Sequence, residues 1–330
     1  MKQQPKGGDS MNKPSIYITR KIPRELVNIY ENQYNIRMWE KEEEPVPREI
    51  LVKEIQHANG IISMLSEKID EELLSKAPHL KVVANLAVGF DNINVDVAKK
   101  RGIIITNTPD VLSETTADLG FALLMATARR VIEANNYIKT DQWKNWAPFL
   151  LAGTDIHHKT IGIVGMGRIG EAIAKRAKGF EMEILYHNRS RKEEAEKELG
   201  ASYVSFDELL RLSDYVVSVV PLTDETKRLF NKDTFRKMKP SSIFINISRG
   251  GVVDEEALVD ALKNKVIEAA GLDVFKNEPI NSDHPLLKLN NVVCLPHIGS
   301  SSIETRTRMI QLCLENVDGV IQGRGAKTPV

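Results

Sequence analysis

The sequence predicts an α/β protein of two domains built on parallel sheets. Three observations predict it. Short apolar runs alternate with helix-like segments, the runs outnumber the strands of one typical sheet, and a glycine-rich turn joins one run to a helix. At 330 residues the chain suits about two domains of ordinary size. Its 42% hydrophobic content supports packed cores and excludes a disordered chain. The 45 basic and 45 acidic residues cancel, which argues against a broad nucleic-acid-binding surface. No apolar run nears the roughly 18 residues of a membrane span, and the charged N-terminus lacks the apolar core of a secretory signal. Two cysteines, Cys294 and Cys313, fit a reducing cytoplasm better than a disulfide scaffold.

Residues 1–11 read as a flexible tail, rich in Gly, Pro and Gln, with either Met11 as an alternative start or residues 1–10 as a cloning remnant. The runs SIYITR, GIISML, VVANLAV and GIIIT follow, each short and β-rich. TNTPDV (106–111) breaks the pattern, and the next 29 residues read as one helix of about eight turns, with Ser113 and Thr116 placed to cap it. Later runs are TIGIVG, EILYHN, YVVSVV, SIFINI, EAAGLDVF and NVVCLP. An amphipathic helix, IETRTRMIQLCLENVDGVI, closes the chain and is expected to return to the first domain. The domains are then 12–107 plus 298–330, and 108–297, with a cleft between them.

TIGIVGMGRIG places Gly165, Gly167 and Gly170 as G-x-G-x-x-G between a strand and a helix. Gly165 permits a tight turn, Gly167 lets backbone approach a pyrophosphate, and Gly170 lets the helix pack close. The helix N-terminus offers N–H groups to phosphate. The second strand of such a fold usually ends near an acid that binds the ribose 2′-hydroxyl. Here Asn188, 18 residues past Gly170, is followed by Arg189 and Ser190. A guanidinium pairs with a 2′-phosphate, and one charge-assisted hydrogen bond is worth roughly 1.5–3 kcal/mol. NADP(H) is therefore favoured over NAD(H), by about tenfold to a hundredfold.

Several residues carry two readings. Arg249 is a strand-end ion pair or an anion anchor, Glu278 a turn residue or an orienting carboxylate, and His297 a core histidine or a proton donor. His157 and His158, adjacent on an extended segment, should point to opposite faces and hold no metal. No metal site is expected. Cys294 reads as a buried thiol, and Asp254, Glu255 and Glu256 as an acidic helix start. The aromatic stretch WKNWAPFLLAG (143–153) is either core or a surface that reaches a partner subunit.

The motifs LAVGFDNINVDVA, GIVGMGRIG, INISRGGVVDEEAL, GLDVFKNEP and PHIGSS occur in one order over nearly the whole chain from about residue 14. In them the chain resembles the D-isomer-specific 2-hydroxyacid dehydrogenases, most of all the glyoxylate/hydroxypyruvate reductase branch that includes 2-ketogluconate reductases. The resemblance implies two doubly wound parallel-sheet domains, a flavodoxin-like substrate domain and a Rossmann NAD(P)-binding domain, and usually a homodimer. It implies catalytic roles for Arg249, Glu278 and His297, and substrate binding by Val88, Gly89, Arg249 and His297. It implies cofactor contacts at Gly165, Met166, Gly167, Arg168, Ile169 and Gly170, and at Asn188, Arg189 and Ser190. Val220, Pro221, Ile247, Ser248, Arg249, Asp273, His297 and Gly299 complete that set. The chemistry suits the residue types. An imidazole exchanges protons near neutral pH, a neighbouring carboxylate favours imidazolium, and a guanidinium fork grips a 2-oxo acid. The expected activity is NADPH-dependent reduction of glyoxylate, hydroxypyruvate or 2-ketogluconate, in the cytoplasm, with no nucleic-acid or membrane partner. Two alternatives stand beside it: a phosphoglycerate dehydrogenase-like enzyme, and a dinucleotide-binding corepressor-like module.

Overall fold

The structure, a computed structural model, describes residues 13–330. The tail expected over residues 1–11 lies outside the described residues. The chain forms two compact units, one running through Leu112 and resuming at Ser302–Val330, the other Ser113–Ser301.

The first unit holds strands β1 (Ser15–Ile18), β2 (Asn35–Met38), β3 (Gly60–Ser63), β4 (Val82–Asn85) and β5 (Ile104–Thr106). All pairs are parallel, in the order β2-β1-β3-β4-β5, which is the flavodoxin-like order. Every residue of β3 and β4 is buried, and neither strand shows the apolar–polar alternation of a one-sided sheet. Edge strand β2 alternates exposed and half-buried residues and carries Asn35 and Arg37, which hid it from the sequence reading. The closing helix Ile303–Ile321 is capped by the Ser302 hydroxyl, which accepts from Thr305 N–H at 3.1 Å. It packs on β3, β4 and β5 through an apolar face that includes Met309, Cys313 and Val317.

The second unit holds β6 (Thr160–Val164), β7 (Glu183–His187), β8 (Ser202–Tyr203), β9 (Tyr215–Ser218), β10 (Ile243–Asn246), β11 (Ala269–Leu272) and β12 (Val292–Cys294). The order β12-β11-β10-β9-β6-β7-β8 is wholly parallel. Counted from β6, this is the 3-2-1-4-5-6 Rossmann order with a seventh strand added. One cluster around Ile163, Ile173, Tyr186 and Ile245 and another around Phe230, Phe235, Phe244 and Leu258 cover the sheet. Phe244 sits 4.7 Å from Phe230 and 5.5 Å from Phe235, ring centroid to centroid.

Several expectations need correction. The boundaries fall after Leu112 and Ser301 rather than at 107 and 297. Asn107 N–H bonds Thr328 O and Thr108 N–H bonds Ala87 O, so this turn stays with the first unit, while Ile298 and Gly299 are bonded to Asp273 in the second. The long helix is two helices, Ser113–Ala128 and Val131–Lys139. The returning chain donates Thr154 N–H to Ala128 O at 3.0 Å, and Arg130 takes a left-handed backbone (φ 52°) held by its own pair with Glu133. His157 and His158 stand in a turn rather than an extended segment. His158 has φ 59°, and the rings meet edge to face at 5.2 Å. Cys294 is half-buried rather than fully buried, and burial pushes its thiol up to about 12. Trp146 and Phe149 are 77% and 86% exposed, so this stretch is not core.

Candidate active site

β6 ends in the glycine turn and the helix Arg168–Gly179 begins at once. Gly165 has φ +104°, a backbone that side chains resist, and its N–H bonds His187 O at 3.0 Å. A Cβ on Gly170 would stand 2.2 Å from Gly165 O, so only glycine lets the helix lie this close. Around a Cβ on Gly167 nothing lies within 4 Å. That open space, exposed Gly167 and Arg168, and the N-terminus of a twelve-residue helix fit a dinucleotide's pyrophosphate. Met166 is buried beneath the turn and Ile169 half-buried.

Beyond β7, Asn188 Nδ2 donates to Ser190 O at 3.1 Å, and Arg189 is 86% exposed with Glu225 at a loose 3.9 Å. The turn is braced by residues the sequence reading missed. Arg191 grips both Glu196 oxygens at 2.7 Å, and Tyr186 hydroxyl donates to Glu196 while accepting from Lys192 N–H, both at 2.7 Å. The Arg191 and Tyr186 bonds hold the Glu196 carboxyl down at about 2. No carboxylate stands at 188–190.

Arg249, Glu278 and His297 follow the ends of β10, β11 and β12, where parallel α/β sheets carry their ligand sites. Asn246 closes the β10 turn. It accepts from the N–H (3.1 Å) and hydroxyl (2.8 Å) of Ser248 and donates to Arg249 O at 3.1 Å. Ser248 hydroxyl also meets Ser218 hydroxyl at 3.1 Å, which joins this turn to β9 ahead of Val220 and Pro221. A Cβ on Gly250 would lie 1.8 Å from the Phe275 carbonyl carbon. The glycine therefore lets the Arg249 turn press against the loop that carries Glu278.

Glu278 Oε1 accepts Phe275 N–H at 2.9 Å, and its Oε2 meets His297 Nδ1 at 2.7 Å. Burial pushes this carboxyl up, but the His297 hydrogen bond and charge, Phe275 N–H and the Arg249 guanidinium together hold it below its usual range. His297 has a left-handed backbone, φ 54°, which costs of order 1–3 kcal/mol and persists only where the surroundings hold it. Asp273 fixes it. Its two oxygens accept Ile298 and Gly299 N–H, both at 2.8 Å. Asp273 is 1% exposed, and burial pushes its carboxyl up. Its oxygens are thus committed to the turn beside His297, a role that a 25-residue separation hid from the sequence reading. With Nδ1 on Glu278, Nε2 of His297 is the nitrogen left for chemistry.

Val88 and Gly89 are half-buried in the loop after β4, in the first unit. Among the described residues nothing accepts from their N–H groups.

Comparison with known proteins gives matches over most of the chain. The family model for the D-isomer specific 2-hydroxyacid dehydrogenase NAD-binding domain matches residues 121–299. A glyoxylate reductase of Pyrococcus horikoshii is 50% identical over 309 residues, 92% of each chain. A solved structure from Thermus thermophilus superposes with a TM-score of 0.90 at 41% identity, covering 96% of this chain and 99% of that one. An NADPH-dependent glyoxylate/hydroxypyruvate reductase of Sinorhizobium meliloti, solved with NADP and malonate, is 34% identical with a TM-score of 0.84, covering 97% of both.

Proposed function

The chain belongs to the D-isomer specific 2-hydroxyacid dehydrogenase family, and from that premise we propose that it reduces a small 2-oxo acid, glyoxylate foremost, with NADPH. It is an oxidoreductase that uses a nicotinamide dinucleotide. The observation that carries the finer reading is the 2.7 Å contact of His297 Nδ1 with Glu278 Oε2, in reach of the Arg249 charge.

The glycine turn at 165–170 holds the pyrophosphate, and Asn188, Arg189 and Ser190 hold the adenosine end. Val220, Pro221, Ile247, Ser248 and Gly299 belong to turns at the same ends of their strands and line the remainder. When bound, the dinucleotide supplies the hydride. His297 gives its Nε2 proton to the ketone oxygen as C2 is reduced, and Glu278 stabilises the imidazolium and fixes the ring. Arg249 bridges carboxylate and ketone oxygen and opposes the negative charge that develops there. Within the first unit, the N–H groups of Val88 and Gly89, unpaired among the described residues, offer donors to a carboxylate. In the oxidative direction neutral His297 is the base. Arg189, turned to solvent, selects the 2′-phosphate of NADPH. Initial rates with glyoxylate, hydroxypyruvate and 2-ketogluconate, each with NADPH and NADH, test the reading. No turnover of any 2-oxo acid, or a clear NADH preference, rejects the corresponding half.

The exposed apolar residues Val131, Ile132, Ile138, Trp143, Trp146 and Phe149 form a stretch that water would not favour. We take this as the homodimer surface, with Trp146 reaching the partner. Sedimentation as a monomer at micromolar concentration would remove it.

A further inference from the structure

The loop after β4 has its carbonyls fixed one by one. Thr108 N–H bonds Ala87 O at 2.8 Å, Asn107 Nδ2 bonds Val88 O at 2.8 Å, and Asn85 Nδ2 bonds Gly89 O at 2.9 Å. A trans peptide is planar, with its C=O and the next N–H pointing in opposite directions. Fixing the Ala87, Val88 and Gly89 carbonyls therefore fixes the direction of the Val88, Gly89 and Phe90 N–H groups. Among the described residues these three N–H groups have no acceptor. Unpaired N–H groups on a loop whose carbonyls are fixed are donors held ready for an anion.

The asparagines are themselves held. Asn85 is fully buried. Its Oδ1 accepts the Ser63 hydroxyl at 3.1 Å, and its second amide hydrogen goes to Asn92 Oδ1 at 3.2 Å. Asn92 Nδ2 donates to Met64 O (3.2 Å) and Glu67 O (3.0 Å), which ties the loop to the one after β3. Glu67, 4% exposed, is anchored by Thr19 hydroxyl (2.5 Å), Arg20 (2.8 Å) and Met64 N–H (2.7 Å). The Asn107 backbone is clamped to Thr328 by Thr328 hydroxyl on Asn107 O (2.6 Å) and Asn107 N–H on Thr328 O (3.3 Å).

We propose that Asn85, Asn92 and Asn107 are positioning residues that hold the loop carbonyls so that the Val88, Gly89 and Phe90 N–H groups receive the substrate carboxylate. This rests on the reading that the loop binds that carboxylate. Asn107 is the sharpest handle, because its one side-chain donor sets the peptide whose N–H belongs to Gly89.

The test uses the full chain. Asn107→Asp keeps the shape and replaces the donor with an anion, whereas Asn107→Ala removes the donor alone. Asn107→Asp should raise KM for glyoxylate about tenfold or more, with kcat within about twofold and NADPH affinity within about twofold. That split marks lost carboxylate binding rather than general damage. Asn107→Ala should match it, and Asn92→Ala should follow more weakly. A KM within twofold of wild type in a folded Asn107→Asp enzyme overturns the proposal. A measurement on unaltered protein covers the case in which the variants do not fold. In a ¹⁵N-glycine-labelled sample, oxalate should shift the Gly89 amide resonance, and no shift at saturating oxalate overturns the proposal. If wild type reduces glyoxylate but that amide stays silent, the clamp fails and the enzymatic reading stands. If the amide responds but no 2-oxo acid is reduced, the clamp stands and the enzymatic reading falls.

Discussion

The last residues of β4 and β10, Asn85 and Asn246, are both buried asparagines, and each donates to a carbonyl just ahead, Gly89 O at 2.9 Å and Arg249 O at 3.1 Å. The device is the same and its product differs. In the second unit it sets the turn that presents a guanidinium. In the first unit it sets a turn that presents backbone N–H groups. The contrast teaches that the C-terminal end of a parallel strand can present either a side chain or a row of peptide planes. A side chain can be deleted by substitution. A peptide plane can be reached only through the residues that prop it.

Ways to break this contrast can be ranked. His297→Ala should cost the most, about 10²–10⁴ in kcat, because it removes the proposed proton donor, while NADPH affinity measured by fluorescence titration stays near wild type. If the Asn107 variants lost as much kcat as this one, the division between reacting side chain and binding backbone would not hold. Glu278→Gln should come next. Without the carboxylate Nδ1 of His297 loses its anionic acceptor at 2.7 Å, which should cost about tenfold or more in kcat. A kcat within about twofold of wild type in Glu278→Gln would separate Glu278 from His297. Stability carries its own sign. The folded Glu278 carboxyl lies below its usual range, so its stabilisation is present above the unfolded carboxylate pKa, near 4.3, and fades as pH falls through the folded value. Denaturant melts of wild type and Glu278→Gln should accordingly converge in acid.

Arg189→Ala should lower the NADPH-over-NADH ratio of kcat/KM by about tenfold or more and leave the pH profile alone. A change in that profile would mean the turn after β7 is coupled to His297. The smallest effect is expected in the first unit at Asp70, which caps the helix Glu71–Ser75 by accepting Leu73 N–H at 3.0 Å. Asp70→Ala should cost about 1 kcal/mol and lower Tm by a few degrees, with kinetic constants unchanged. Burial pushes the Asp70 carboxyl up, but Leu73 N–H and Arg48 hold it below its usual range. The loss should therefore be full above about pH 4 and shrink in stronger acid.

Strands β3, β4, β6, β9 and β10 were legible because burial on both faces writes them as Val- and Ile-rich runs. Strands β2 and β8 were not, because an edge strand can carry Asn35, Arg37 or Ser202 without penalty. The break at Arg130 was hidden because its cause, Thr154 on Ala128 O, lies 24 residues downstream of Arg130. Glycine spacing and the residue types after β7, β10, β11 and β12 announced a dinucleotide turn and a candidate Arg–Glu–His set. Their supports Asn246, Tyr186 and Glu196 gave no local signal, because a polar side chain declares nothing until its partner is known.

By itself the sequence determined the α/β class, the place of the glycine turn, and the kinds of groups offered for reaction, since each follows from local periodicity or residue chemistry. Only the tertiary structure decided which groups meet. His297 finds Glu278 across 19 residues, Asp273 finds the Ile298 and Gly299 N–H groups across 25 and 26, and Asn107 finds the Val88 carbonyl across 19. Parallel strands bring together residues that crossovers keep apart in sequence, and a hydrogen bond forms only when that approach is closed to about 3 Å.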